Sequence, residues 1–263
     1  MSAKAKKWFL PRRASVEVSE EDGVRSLHLG GDAIQSSIRL DRPDELALDY
    51  TRAMMAFLLF HPQPAEVLMI GLGGGSMARY IHQRMPGTRT TVVEINAKVL
   101  AAARSMFHFP EDDARLRVEI ADGADYLDGN EEAADVLLVD GFDDGRQPAA
   151  LCSQAFYDAA YAALRPGGVM AVNFMAQERK LDVFLQRIEA SFDGRVVCLH
   201  ASDRVNLIAF AFRQQARDIA WAELRKRALD LGRIHELPLK QFVSGLKELN
   251  AHTQAKLRLR AAD

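Results

Sequence analysis

The chain has 263 residues, 48% of them hydrophobic, and a formal net charge of −2. This length and composition suit one large domain with a small appendage, and the near-neutral charge argues against a general nucleic-acid-binding protein. The two cysteines, Cys152 and Cys198, are too few for a disulfide framework, and no apolar run is long enough to span a membrane. We therefore expect a soluble, cytoplasmic protein that keeps its thiols reduced and binds neither nucleic acid nor membrane.

Residues 14–40 show a period-two pattern broken by turn residues, in the segments "SVEV", "VRSLHL" and "AIQSSIRL". This alternation predicts a small antiparallel β-meander. The segment "DRPDELALDYTRAMMAFLLF" then changes to helical periodicity, with Asp41 as the expected N-cap and Tyr50 on the apolar face. We assign residues 1–62 to an N-terminal β-meander and its linking helix.

From residue 63 onwards, apolar runs alternate with helical segments. The runs are "EVLMIGL", "RTTVVEI", "RLRVEIADG", "ADVLLVDGF" and "VMAVNF", followed by "RVVCLH" and "RVNLIAFAF". Continuous apolar runs are typical of parallel strands that are covered on both faces. The pattern predicts an α/β fold with a doubly wound, Rossmann-like sheet of about seven strands, the last of which form an antiparallel edge. Residues 63–263 are assigned to this domain, which ends in C-terminal helices.

A glycine-rich turn follows the first of these strands. Gly71, Gly73 and Gly75 form a G-x-G-x-G pattern. A dinucleotide fingerprint would need glycine where Ser76 stands, and a phosphate loop would need a lysine followed by serine or threonine. Such a turn lets the backbone approach a ligand closely, although a tight strand–helix turn also requires glycines.

Acidic residues end the next three strands. Glu94 ends the second strand, Asp122-Gly123 the third, and Asp140 the fourth. In a doubly wound sheet the carboxyl ends of the strands bind the ligand, so these carboxylates line one mouth. Glu94 is placed to accept both hydroxyls of a ribose, and Asp122 to accept from an adenine amino group. Because carboxylates repel a pyrophosphate but attract a sulfonium and an amine, we interpret the mouth as an S-adenosyl-type nucleoside site.

Five segments, in order, resemble the polyamine aminopropyltransferase (spermidine synthase) family. The turn "IGLGGGS" is similar to the family's "IIGGGDGG"-type turn. The other segments and their matching residues are "DAIQSSIRLDRPDELALDY" with Gln35 and Tyr50, "VVEIN" with Glu94, "ADGADYL" with Asp122, and "LLVDGFDDGRQPAALCSQAFY" with Asp140 and Asp143. The resemblance covers residues 24–174.

The resemblance implies a methyltransferase-like fold and a small-molecule amine substrate. The implied reaction moves an aminopropyl group from decarboxylated S-adenosylmethionine to a polyamine acceptor. The residues expected to bind the donor are Gln35, Gly71, Gly73, Gly75, Glu94, Asp122, Gly123 and Asp140. The family also implies a homodimer formed through the N-terminal region, to which the apolar "AMMAFLLF" segment would contribute surface. No metal is expected, because the histidines show no ligand spacing.

Aminopropyl transfer requires a neutral amine to attack a methylene carbon beside a sulfonium. Polyamine amines are protonated at neutral pH, so a carboxylate must bind the cation and favour its deprotonated form. We expect Asp143 to be this catalytic carboxylate and Tyr50 its hydrogen-bonding partner, while Asp140 and Asp144 bind the cationic chain. The structural alternatives are a solvated loop pair at Asp143 and Asp144, and a core position for Tyr50.

Other functions remain open at this point, as does the identity of the acceptor. Gly74 occupies the place of the family's aspartate that holds the donor amine, and Asp144 that of a proline. We expect decarboxylated donor to bind less tightly for this reason, and Gly74→Asp to improve its binding. One alternative is a methyltransferase that uses S-adenosylmethionine, although Met69 stands where most such enzymes carry an acidic residue. The other is a non-catalytic relative that binds a nucleoside or a polyamine.

Overall fold

The computed structural model describes residues 16–29, 34–142, 146–214 and 218–259. The N-terminal part is a three-stranded antiparallel sheet, in the order β1-β2-β3. Its strands are β1 (Val16–Glu21), β2 (Val24–Leu29) and β3 (Ile34–Arg39). The meander expected from the period-two pattern is confirmed. The domain boundary after residue 62 stays a prediction.

The central sheet has seven strands in the order β6-β5-β4-β7-β8-β10-β9. They are β4 (Glu66–Ile70), β5 (Arg89–Glu94), β6 (Leu116–Ile120), β7 (Ala134–Val139), β8 (Leu164–Met175), β9 (Val196–His200) and β10 (Asn206–Phe212). Strands β4 to β8 are parallel, and β10 is antiparallel to both of its neighbours. This confirms the doubly wound sheet with an antiparallel edge. Because the strand order reverses at β4 and β7, the crevice at their carboxyl ends is where ligands bind in such sheets.

Helices cover both faces of this sheet. They are α1 (Asp49–Met54), α2 (Ser76–Arg84), α3 (Ala97–Met106), α4 (Gly123–Leu127), α5 (Gln154–Ala163), α6 (Leu181–Ser191), α7 (Trp221–Ile234) and α8 (Leu239–Leu249), with 3₁₀ helices at Met55–Leu59 and Ala149–Cys152. A short pair of strands, β11 (Ile219–Ala220) and β12 (Lys256–Leu257), joins the C-terminal segment to the start of α7. Within the described ranges, no helix has both the length and the apolar character that crossing a bilayer would need.

The predicted start of the first helix at Asp41 is wrong, since α1 begins at Asp49. An N-cap aspartate would accept from backbone N–H groups, but the Asp41 carboxylate instead accepts from the Arg39 guanidinium at 2.9 and 3.1 Å. Further along, Arg52 donates to the carbonyl of Leu46 at 2.7 Å. Arginine side chains therefore hold this segment in a non-helical path.

The "AMMAFLLF" segment lies inside the protein. Residues 53–59 are at most 1% exposed, and Phe60 packs its ring 5.2 and 5.0 Å from the ring centroids of Phe210 and Phe212. The segment is therefore part of the protein core. Its expected contribution to a dimer surface is wrong, because the chain's own core already covers it.

Candidate active site

The glycine turn lies between β4 and α2, at the point where the strand order reverses. Gly71, Gly73 and Gly75 have φ angles of 95°, 55° and 75°, which favour glycine. A Cβ at Gly71 would overlap the backbone carbonyl of Asp140, and one at Gly75 would overlap the ring of Phe109. The turn is therefore packed so closely between its neighbours that larger residues do not fit.

Glu94 ends β5 and holds the glycine turn in place. Its side chain is 7% exposed. One carboxylate oxygen accepts from the backbone N–H of Leu72 at 2.9 Å, and the other from the N–H of Asn96 at 2.8 Å. A carboxylate has about four lone-pair sites, of which these two bonds use two. The ribose-binding role of Glu94 stays a prediction, and the structure adds a role in fixing the turn.

Asp122 caps the short helix α4. Its carboxylate accepts from the backbone N–H groups of Ala124 at 2.8 Å and Asp125 at 3.4 Å. Gly123 is buried against Ile70, whose side chain a Cβ at that position would overlap. The carboxylate is thus anchored at the edge of the sheet, and its predicted contact with adenine stays a prediction.

Two isoleucines near these acidic strand ends are exposed. Ile95 follows Glu94 and is 51% exposed, and Ile120, which pairs with Glu94 across the sheet, is 45% exposed. Each therefore offers some exposed apolar surface near the acidic strand ends. Sequence analysis missed it, although both residues stand beside the acidic strand ends.

Asp140 follows β7 and lies in a cluster of polar groups. The side-chain amide of Asn173 on β8 donates to its carboxylate at 2.9 Å. The hydroxyl of Tyr50 on α1 donates to the backbone carbonyl of Gln35 on β3 at 3.1 Å, and it lies near enough to the Asp140 carboxylate to affect its pKa. Burial raises the pKa of Asp140 to about 6, although the Asn173 amide and the Tyr50 hydroxyl lower it. Three separate elements thus bring Tyr50, Gln35 and Asp140 together.

Tyr50 is a hydrogen-bond donor in this cluster. Burial, and then the neighbouring Asp140 carboxylate, raise the pKa of Tyr50 well above its ordinary value. The hydroxyl therefore stays protonated at physiological pH. Gln35 contributes its backbone carbonyl, and the predicted contact of its side chain with a donor stays a prediction.

Sequence analysis missed two asparagines behind Asp140. Asn173 on β8 and Asn206 on β10 are 2% and 7% exposed, and the Asn206 amide donates to the Asn173 side-chain oxygen at 2.9 Å. The signal was available, because each asparagine interrupts an apolar strand, "VMAVNF" or "RVNLIAFAF". A buried amide in such a strand requires hydrogen-bond partners.

Gly74 occupies a filled space. A Cβ at this position would lie 2.8 Å from the Ser36 hydroxyl and 2.9 Å from the ring of Phe107. Ser36 and Phe107 are 3% and 1% exposed, so neither moves freely. The packing therefore disfavours the expected improvement of donor binding in Gly74→Asp, since an aspartate requires both neighbours to shift.

The remaining predicted site residues, Asp143 and Asp144, lie outside the described residues, and their roles stay predictions. Among the residues that are described, no group of three histidine, cysteine, aspartate or glutamate side chains could hold a metal ion.

The strand order and the glycine turn with its acidic strand ends define a Rossmann-like protein of the methyltransferase type. Its fold matches human methyltransferase-like protein 13 in complex with SAH, with a TM-score of 0.66 and 29% identity over 73% of this chain and 94% of that chain. It also matches a probable spermidine synthase from Corynebacterium glutamicum, with a TM-score of 0.69 and 20% identity over 93% and 95%.

Sequence comparison identifies the family within this class. Residues 48–201 match the Spermine/spermidine synthase domain family. The chain is 42% identical to the polyamine aminopropyltransferase of Chromobacterium violaceum over 242 residues, which cover 92% of this chain and 93% of that protein. The chain therefore belongs to the spermine/spermidine synthase family, as the five segments predicted.

Proposed function

We propose that this protein is an aminopropyltransferase that uses decarboxylated S-adenosylmethionine as donor and a polyamine as acceptor. One observation carries the proposal beyond family membership. At the switch point, beside the glycine turn, Asp140 is held between the Tyr50 hydroxyl and the Asn173 amide. This places a carboxylate of raised pKa next to the turn that approaches a donor.

The reaction is a displacement at carbon. The lone pair of a neutral amine forms the new C–N bond, the C–S bond breaks, and methylthioadenosine leaves with its electron pair. The attacking amine must lose a proton, which a nearby carboxylate accepts. With a pKa of about 6, Asp140 is mostly ionised near neutral pH and is a stronger base than an ordinary carboxylate. Alignment of nitrogen, carbon and sulfur supplies a further part of the rate.

Two assignments of the proton acceptor remain. The sequence assigns this role to Asp143, with Asp140 and Asp144 binding the cationic chain. The described geometry supports Asp140, because it lies beside the glycine turn with its carboxylate oriented by the Asn173 amide, while the neighbouring Tyr50 stays protonated near neutral pH. We propose Asp140 as the acceptor and leave the binding of the acceptor's other amine to Asp143 and Asp144.

The other side of the mouth suits the nucleoside of the donor. The carboxylates of Glu94 and Asp122 are anchored at adjacent strand ends by backbone N–H groups, and Ile95 and Ile120, next to these strand ends in the chain, are exposed. We propose that Glu94 binds the ribose hydroxyls, that Asp122 binds the adenine amino group, and that the isoleucines contact the face of the adenine ring. Decarboxylated donor is favoured over S-adenosylmethionine because its side chain adds only positive charge, which acidic groups attract.

A methyltransferase is the second candidate. The 29% identity to human methyltransferase-like protein 13 over 94% of that chain favours it, as does Gly74 in place of the family's aspartate. In that case the donor would keep its carboxylate, which the acidic mouth would repel.

A product assay separates these functions. The parent protein is incubated with decarboxylated S-adenosylmethionine or S-adenosylmethionine and a panel of polyamines, and the nucleoside products are measured. We expect methylthioadenosine, and only with the decarboxylated donor and an amine. S-adenosylhomocysteine formed from S-adenosylmethionine, without methylthioadenosine, would make the protein a methyltransferase. Tight nucleoside binding by calorimetry without either product would indicate a non-catalytic relative.

We also propose that the protein acts in the cytoplasm as a homodimer. Both cysteines are free, which is typical of a reducing compartment. Of the surface expected for dimerisation, the N-terminal sheet remains, where Ile34 on β3 is 54% exposed. A monomer in sedimentation at micromolar concentration would contradict the dimer.

A further inference from the structure

A chain of two buried amides lies behind Asp140. Asn206 on β10 donates its side-chain N–H to the side-chain oxygen of Asn173 on β8, and Asn173 donates its own N–H to the Asp140 carboxylate, both at 2.9 Å. The second acceptor near the Asn206 amide is the sulfur of Met175, at 3.7 Å. Both asparagines are almost fully buried, so their two hydrogen-bonded amides are shielded from water.

The direction of the hydrogen bonds matters because an amide has one acceptor end and one donor end. When Asn206 donates to the oxygen of Asn173, the NH₂ group of Asn173 must point towards Asp140. An N–H group stabilises an ionised carboxylate, whereas an amide oxygen would accept from a protonated one. The orientation of Asn173 thus favours one protonation state of Asp140.

We propose that Asn206 is a positioning residue that acts through Asn173 to keep Asp140 ionised for proton acceptance. The catalytic part of this inference rests on the proposed function of Asp140, whereas the effect on its protonation does not. Asn173 has a further structural link, because its backbone carbonyl accepts from the Gln147 amide at 2.6 Å. The same residue therefore contacts both Asp140 and Gln147.

The other groups facing Asp140 remain constant across the test. The Tyr50 hydroxyl lies near it from α1 and donates to the Gln35 carbonyl. Asn173, Asn206 and Gln147 are neutral, and the carboxylates Asp143 and Asp144 follow it in the chain. Because the asparagine substitutions change none of the charged groups, a shift in the pKa of Asp140 measures the effect of the two amide hydrogen bonds.

The test measures the pKa of Asp140 directly. Protein labelled with ¹³C at aspartate carboxyl groups is titrated by NMR, and the Asp140 signal is assigned by its loss in Asp140→Asn. We expect Asn206→Leu and Asn173→Leu each to raise the pKa by about one unit, the scale of one charge-assisted hydrogen bond. Because Asn206 acts only through Asn173, the double variant should give the same pKa as Asn173→Leu alone.

Thr90→Val is the matched control. Thr90 is a polar strand residue on β5 that is 2% exposed, and its substitution should leave the pKa of Asp140 unchanged. If leucine at position 206 prevents folding, Asn206→Ala gives the same test with a smaller side chain. In turnover, Asn206→Leu should move the acid limb of the kcat–pH profile upwards by the same amount, with rates that approach the parent's at high pH.

An unchanged Asp140 pKa in a folded Asn206 variant would overturn the inference, as would additive shifts in the double variant. If the pKa shifts as expected but Asp140→Asn retains turnover, the link between the amides is supported and the proposed function of Asp140 fails.

Discussion

The two halves of the mouth hold their carboxylates in different ways. On the side of β5 and β6, Glu94 and Asp122 accept hydrogen bonds from backbone N–H groups of the turn and of α4. On the side of β7, β8 and β10, Asp140 accepts from the side chain of Asn173 and lies near the Tyr50 hydroxyl. Substitution in the first half should therefore disturb the backbone, whereas substitution in the second should change proton chemistry and leave the backbone intact.

Asp140→Asn is expected to have the largest effect. The amide keeps the shape and can still accept from Asn173, but it cannot take a proton from the amine. We expect kcat to fall by roughly 10²–10⁴-fold, while calorimetry shows methylthioadenosine binding close to that of the parent. Asp143→Asn, measured in the same way, tests the assignment made from sequence. Loss of turnover in Asp143→Asn with turnover retained in Asp140→Asn would place the proton acceptor in the loop.

Glu94→Gln should weaken nucleoside binding and also the fold. The Glu94 carboxylate now accepts hydrogen bonds from the backbone N–H groups of Leu72 and Asn96. In the glutamine variant, the side-chain NH₂ would face one of these two donors and could not accept from it. We expect calorimetry with methylthioadenosine to show a loss of about 1.5–3 kcal/mol, with a lower free energy of unfolding in urea. Glu119→Gln, on the neighbouring strand β6, removes only an ion pair with Arg117 and is the control. Parent-like affinity in Glu94→Gln would remove Glu94 from the nucleoside site.

Much of this comparison could be predicted from the sequence. Gly71, Glu94 and Asp140 stand directly after apolar runs, so the strand pattern alone places them at one edge of a doubly wound sheet. The contact between Asn173 and Asn206 could not be predicted in the same way, because it depends on the register between β8 and β10, which are distant in the chain. The start of α1 was missed because the competing partner of Asp41 is a side chain, Arg39, and no helical pattern shows this.

Gly74→Asp tests the packing of the glycine turn against Ser36 and Phe107. We expect the free energy of unfolding to fall by about 1–3 kcal/mol, since a Cβ at this position overpacks against Ser36 and Phe107. Affinity for the decarboxylated donor should not improve. Gly87→Asp is the control, because Gly87 has open space around it. Tighter donor binding with parent-like stability would show that the turn adjusts, as the sequence analysis expected.

The smallest expected effect concerns stability and pH. The pKa of Asp140 is about 6 in the folded protein and near 3.9 in an unfolded chain. Between these values the folded state binds more protons than the unfolded state, so the Asp140 contribution to stability rises as pH falls from 7 to 5 and is lost again as pH rises. We expect this gain to be about 1 kcal/mol in urea unfolding. It should be absent in Asp140→Asn, which should be more stable than the parent at pH 7.

The exposed Asp125→Asn on α4 is the control and should follow the parent. Comparing variants cancels the titration of all other groups, so an identical pH dependence in Asp140→Asn and the parent would mean that folding does not perturb Asp140. The expected difference would instead show that the half of the mouth formed by β7, β8 and β10 is less stable at neutral pH because it keeps Asp140 as a basic carboxylate.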